Sequence, residues 1–116
     1  MEETKEKTIE YYITQEGKIP FNQWYESLKD KRAREEVARR LNRAIKGNFG
    51  DHKILAEDLY EMRITYGPAY RIYYTEKDKR IIVLLCGGNK STQTEDVEKA
   101  KQYLKDYLVS LGGENL

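Results

Sequence analysis

The chain has 116 residues, 39% hydrophobic and 35% charged, with a formal net charge of +1. That length suits one domain with one core, the composition excludes a disordered chain, and no apolar run approaches the roughly 20 residues a membrane helix needs. The charged start, Met1 to Lys7, has no apolar stretch behind it and does not read as a secretory signal, so a cytoplasmic protein without membrane contact is expected. Cys86 stands alone and reads as a buried strand residue. With one histidine besides, no metal cluster is available unless carboxylates supply it, and no metal or cofactor is expected.

Thr8 to Thr14 alternate, with Ile9, Tyr11 and Ile13 on one side and Glu10 and Tyr12 on the other, the period of a half-buried strand. Pro20 suits the first turn of a helix whose apolar stripe is Phe21, Trp24 and Leu28. Asp30 is a fitting N-cap for a second helix, with Ala33, Val37, Leu41 and Ala44 or Ile45 inward and Gly47 as its stop. Gly47 to Lys53 reads as a turn-rich loop. Three strands follow, from Leu59, from Tyr70 and from Ile81 to Cys86. Gly67-Pro68 and Glu76 to Arg80 link them, too short for crossovers, so the strands pair antiparallel. Thr92 to Glu95 has the form of a capping box, and Val97, Ala100, Leu104, Tyr107, Leu108 and Leu111 keep helical spacing up to Gly112-Gly113. The reading is a single α+β domain over 1–116, of order βααβββα, with disordered ends at 1–7 and 112–116. A helical hairpin and a C-terminal helix pack on its mainly antiparallel sheet.

Charge is unevenly laid out. Between Lys29 and Lys53 nine cations stand against four acids, a local charge of +5, which suits a polyanion partner or equally a solvated helix face. In the hairpin from Leu59 to Thr75, a three-residue loop Gly67-Pro68-Ala69 would set Tyr66 opposite Tyr70, Arg63 opposite Tyr73 and Arg71 opposite Thr65. Tyr60, Met62, Ile64, Tyr70, Ile72 and Tyr74 then face the core. Arg63 and Arg71 become diagonal neighbours on the other face, roughly 7 Å apart at their Cα atoms, where two planar donor forks can converge on one phosphate. Lys90, in the loop after Gly87-Gly88, is a mobile cation near the same end of the sheet, suited to proton transfer. Tyr73, on the arginine face, is suited to stack on a base or bond to a phosphate. Each has a plainer role too, such as an ion pair of Arg63 with Glu61 or Glu57, and solvated side chains at His52 and Lys90.

Taken together, Pro20-Phe-x-x-Trp24, Gly47-Asn-Phe-Gly50-Asp, Glu61-Met-Arg63-Ile, Gly67-Pro-Ala-Tyr-Arg71-Ile-Tyr-Tyr and Leu85-Cys-Gly-Gly-Asn-Lys90-Ser-x-Gln93-x-x-Asp96 resemble the phage-related addiction-module killer proteins. That group is similar to the HigB branch of the RelE/ParE toxin superfamily, and the likeness runs from about Thr8 to Leu108. The resemblance implies a RelE-like fold and the toxin of a type II toxin–antitoxin system. Its activity would be ribosome-dependent mRNA cleavage by attack of the ribose 2′-hydroxyl on the adjacent phosphodiester, without metal. Arg63 and Arg71 correspond to the strand arginines of such toxins, and Lys90 and Gln93 to a Gly-Gly-x-Lys-Ser-x-Gln signature. The expected catalytic residues are therefore Arg63, Arg71 and Lys90, with Lys46, His52, Lys53, Tyr73 and Gln93 on the RNA. The expected partners are the ribosome with its mRNA and an adjacent helix-turn-helix antitoxin of the HigA kind. The same fold permits a ParE-like inhibitor that poisons DNA gyrase by binding alone, or an inactive relative. Ala69 stands where such proteins usually have glycine, and the C-terminal histidine of some HigB relatives is absent.

Overall fold

The computed structural model describes residues 6–114, with side chains described as far as residue 112. The elements are β1 (Thr8–Tyr11), α1 (Pro20–Ser27), α2 (Lys31–Ile45), β2 (His52–Ala56), β3 (Leu59–Ile64), β4 (Tyr70–Lys77), β5 (Ile81–Asn89), a short 3-10 turn (Lys90–Thr92) and α3 (Gln93–Glu114). The fold is mixed α+β, and it holds one strand more than the pattern predicts. His52 to Ala56 form an edge strand, because Lys53 pairs with Glu61 and Ile54 with Tyr60 in an antiparallel ladder. The signal is hidden in the sequence: His52, Lys53, Ile54 and Ala56 are all exposed, so no alternation marks them.

The five strands lie in the order β1-β5-β4-β3-β2, antiparallel except for β1, which runs parallel to β5 with Thr8 beside Ile81 and Tyr11 beside Leu84. Interior β5 is apolar from Ile81 to Cys86 because both of its faces are covered. On one face, α1 and α2 close a core of Phe21, Ala33, Val37 and Ala44 against Met62, Ile64, Ile72, Tyr74, Ile82 and Leu84. On the other, Ala100 and Leu104 of α3 cover Leu59, Tyr73, Val83, Leu85 and Cys86, and Tyr12 joins them. The sheet is thus a middle layer between the helical hairpin and α3. Tyr12, whose hydroxyl donates to Asp106 at 2.6 Å, is the buried residue of its segment, whereas Tyr11 and Ile13 are exposed at the edge.

Asp30 caps α2 by accepting from the Arg32 backbone at 2.9 Å. The cap before α3 lies three residues earlier than the Thr92 box. Asn89 accepts from the backbone of Ser91 and Thr92, and Thr92 answers the Asn89 N–H. α3 runs through Gly112 and Gly113 to Glu114. At the other end, Lys7 donates its backbone N–H to Ile45 at 2.7 Å and pairs with Glu76 at 2.8 Å, so this residue is tied into the fold. The ends expected to be disordered at 1–5 and 115–116 lie outside the described residues.

Candidate phosphate-binding site

The hairpin register differs from the predicted one by two residues. Ile64 pairs with Tyr70, Arg63 with Arg71 and Glu61 with Tyr73, across a five-residue connection, 65–69. Gly67 and Ala69 both take left-handed dihedrals, φ +58° and +63°, and the Ala69 N–H closes back on Tyr66 at 3.1 Å. Ala69 holds that conformation against the clash of its Cβ, a cost of about 1 kcal/mol relative to glycine. The even-numbered row still faces the helical hairpin, and the arginines still share the opposite face. They are direct cross-strand partners rather than diagonal ones.

Two rows of side chains therefore cross the sheet beneath the start of α3. One carries Arg63, Arg71 and Gly88; the next carries Lys53, Glu61, Tyr73 and Cys86. Like charges placed opposite each other on a sheet repel, so this arrangement needs an anion. Glu61 supplies it. Its side chain is fully buried, with Oε2 at 3.6 Å from Arg71 Nε, Oε1 at 3.9 Å from Arg63 Nε, and Gln93 Nε2 donating to Oε2 at 2.9 Å. Arg63 also reaches Asp51 at 3.5 Å and is 37% exposed, whereas the Arg71 side chain is 10% exposed. These ion pairs are too long to be hydrogen bonds. Arg63 Nε, Arg71 Nε and Arg71 Nη1 are buried without a hydrogen-bond partner, as is Glu61 Oε1. The result is a cluster with unused donors, one of whose cations meets solvent.

A bulge in β5 completes the site. Tyr73 pairs with Cys86 but Tyr74 with Leu84, so Leu85 is an extra residue, and beyond it the strand exchanges faces. Gly87 thereby turns to the helical hairpin and Gly88 to α3. A Cβ on Gly87 would lie 2.2 Å from the Trp24 ring, and one on Gly88 would lie 1.7 Å from Asp96 Oδ2. Two glycines in series are required because each face is touched at backbone distance. Asp96, itself buried, accepts from Thr92 Oγ1 beside the Arg71 row. Burial pushes the Cys86 thiol up to about 12, so it is an inert filler of this packing.

Lys90 opens the 3-10 turn, exposed, with its backbone N–H on Pro68 O at 3.3 Å. Counting strands and residues from Arg63, its Cα is on the order of 12 Å away, within joint reach of two long side chains. The remaining predicted contacts divide. Gln93 and Lys53 lie on the arginine face, Gln93 already bound to Glu61. Tyr73 lies there too but is fully buried, its hydroxyl pKa raised by burial and by Glu61, so its ring offers no face to a base. His52 pairs with Met62 and stands on the other face, its ring 5.9 Å from Phe49 and Nδ1 2.8 Å from Gly50 O. Lys46 caps the C-terminus of α2, also on that side. Glu61 and Asp96 carry the site's architecture, and the sequence holds a usable signal for the first, an acid in the middle of a strand on the face of two arginines.

Among the described residues, no three His, Cys, Asp or Glu side chains gather as metal ligands, and no helix is long and apolar enough to cross a membrane. The fold and site define a class of small α+β proteins in which one sheet carries an arginine pair over a buried carboxylate. Residues 23–105 match the family described as "Phage derived protein Gp49-like", and the chain belongs to it. It is also similar to an uncharacterized protein of Haemophilus influenzae, 40% identical over 83 residues that span 72% of this chain and 84% of that protein.

Proposed function

We propose that this chain is the toxin of a type II toxin–antitoxin pair, an endoribonuclease that cuts mRNA on the ribosome. The observation that carries the reading is the direct Arg63–Arg71 pair with buried, unused N–H donors, beside exposed Lys90. Membership of the Gp49-like family, an addiction-module toxin-like group, supports it. Arg63, partly exposed, holds the scissile phosphate, and Arg71 behind it adds fixed positive charge to the pentacoordinate transition state. The 2′-oxygen gives its proton to solvent water and bonds to phosphorus as the bond from phosphorus to the 5′-oxygen breaks. Lys90 protonates the departing 5′-oxygen, and a 2′,3′-cyclic phosphate remains. Lys53 extends the cationic face along the RNA backbone. A helix-turn-helix antitoxin restrains the toxin in the cell.

Primer-extension mapping of mRNA from cells expressing the wild type and Arg63→Ala tests this reading. New transcript ends are expected with the wild type alone, and unchanged ends in both overturn it. One observation favours a second reading, a gyrase inhibitor that acts by binding: Glu61 engages both arginines, which gives them a structural role without RNA. Linear DNA from a gyrase cleavage reaction supplied with this protein would select that reading.

A further inference from the structure

A second cationic cleft lies on the reverse face of the same hairpin. Arg32, Glu36, Arg40, Arg43, Thr65 and Tyr66 line an open volume of about 380 Å³ between α2 and the end of β3. Arg40 forms its floor and is 9% exposed. Its guanidinium donates to the backbone oxygens of Arg63, Phe49 (2.7 Å) and Asp51 (3.1 Å), which leaves Nε buried and without a partner. Carbonyls do not neutralise a cation. Burial, together with the charge of neighbouring Arg43, holds the Arg40 pKa below the usual arginine range. The acids nearby are occupied: Glu36 is held by Arg39, Asp30 accepts from Tyr66 Oη at 2.7 Å, and Asp51, whose charge partly offsets that of Arg40, pairs with Arg63 at 3.5 Å. Three arginines thus line a cleft with one already paired carboxylate in its wall.

We propose that this cleft binds a second phosphodiester of the RNA strand, a few nucleotides from the scissile one, after the strand has crossed the 65–69 loop. The inference rests on the ribonuclease reading and adds a subsite to it. Two features favour RNA over an acidic protein segment. The Arg32 guanidinium lies 5.4 Å over the Tyr66 ring, so the rim of the cleft is a flat cationic and aromatic platform of the kind on which a nucleobase stacks. The two sites also share one piece of backbone, since Arg40 grips the carbonyl of Arg63. A ligand that follows the hairpin edge meets both.

Arg32 and Arg43 are exposed, so Arg32→Gln/Arg43→Gln should fold, and an unchanged thermal melt verifies it. Fluorescence anisotropy of a labelled single-stranded RNA of about ten nucleotides, read across a salt series, is the test. The double variant should bind several-fold more weakly, with the slope of log K against log salt shallower by about 0.7 for each phosphate it no longer neutralises. A dinucleotide, too short to span both faces, should bind wild type and variant alike. Should the double variant fail to fold, either single variant carries about half of the slope change. Equal affinity and slope for the longer RNA overturn the subsite and leave the ribonuclease reading standing. No RNA binding by the wild type overturns the subsite, and the transcript-end map alone then decides the ribonuclease reading. Loss of binding to a glutamate-rich peptide, with RNA binding intact, makes the cleft a protein-binding surface and also overturns the subsite.

Discussion

Arg63 and Arg71 face each other directly across β3 and β4, and a single buried carboxylate, Glu61, lies within 4 Å of both. Removing Glu61 would leave buried Arg71 without its counter-charge, beside Arg63, which keeps only the exposed Asp51. Glu61→Ala should therefore lose about 3–5 kcal/mol of unfolding free energy in a urea titration. Glu61→Leu combined with Arg71→Met should recover most of that loss, because the repulsion and the desolvated charge disappear together. A Glu61→Ala variant within about 1 kcal/mol of wild type would show that solvent, not Glu61, compensates the pair.

Gly88 is constrained by one carboxylate. Gly88→Ala drives a methyl group into Asp96, and an overpacked site of this kind loses about 1–3 kcal/mol. Asp96→Ala should relieve the clash, so the double variant should melt above Gly88→Ala alone. Gly87→Ala has no such rescue short of replacing Trp24, and its melting temperature should fall furthest. Differential scanning fluorimetry of the four variants orders them.

Lys90 separates function from folding. It is exposed in its turn and joins no ion pair among the described residues, so Lys90→Ala should change stability by less than about 0.5 kcal/mol. On the ribonuclease reading the same change should relieve the growth arrest caused by strong expression. Arrest as severe as with the wild type, at equal protein levels, would remove Lys90 from the chemistry.

Alkali should unfold the protein through groups that hold their protons in the core. The Cys86 thiol, raised by burial to about 12 from 9.0, binds its proton more tightly when folded than unfolded. The hydroxyls of Tyr12, Tyr73 and Tyr74 are raised as well, each first by burial. A group raised in the folded state contributes stability that is whole below its unfolded pKa and lost as pH climbs toward the folded one. Unfolding free energy should hold steady up to about pH 9 and decline from there toward about 12. Tyrosinate absorbance at the upper end should rise in step with the loss of tertiary signal; a flat stability curve across that range would contradict the burial of these groups.

Helices are the legible part of this sequence, since Phe21 and Trp24 of α1 and Ala33, Val37 and Ala44 of α2 lie where their spacing puts them. The parity of the hairpin is legible too, because a two-residue slip leaves every side chain on its own face. What stays hidden depends on loop dihedrals and on charge. Ala69 in the left-handed region lengthens the connection and brings Arg63 opposite Arg71, a choice no residue preference signals. β2 is an exposed edge without an apolar period. Arg40 has the sequence setting of a surface cation, yet it sits beneath α2, where the carbonyls of residues 49, 51 and 63 receive it. The glycine pair has the composition of a flexible loop, and the bulge at Leu85 makes it a tight seam between two layers.

The parallel seat of β1 beside β5 sets the timing of assembly during synthesis. Residues 8–11 find their strand neighbour in residues 81–84, so β1 waits for its seat until α1, α2 and the other four strands have been made. Lys90 and Gln93 emerge later still. Until then the nascent polypeptide has its arginines but no finished cleft, and the cationic surface is assembled only once β5 and the start of α3 are in place.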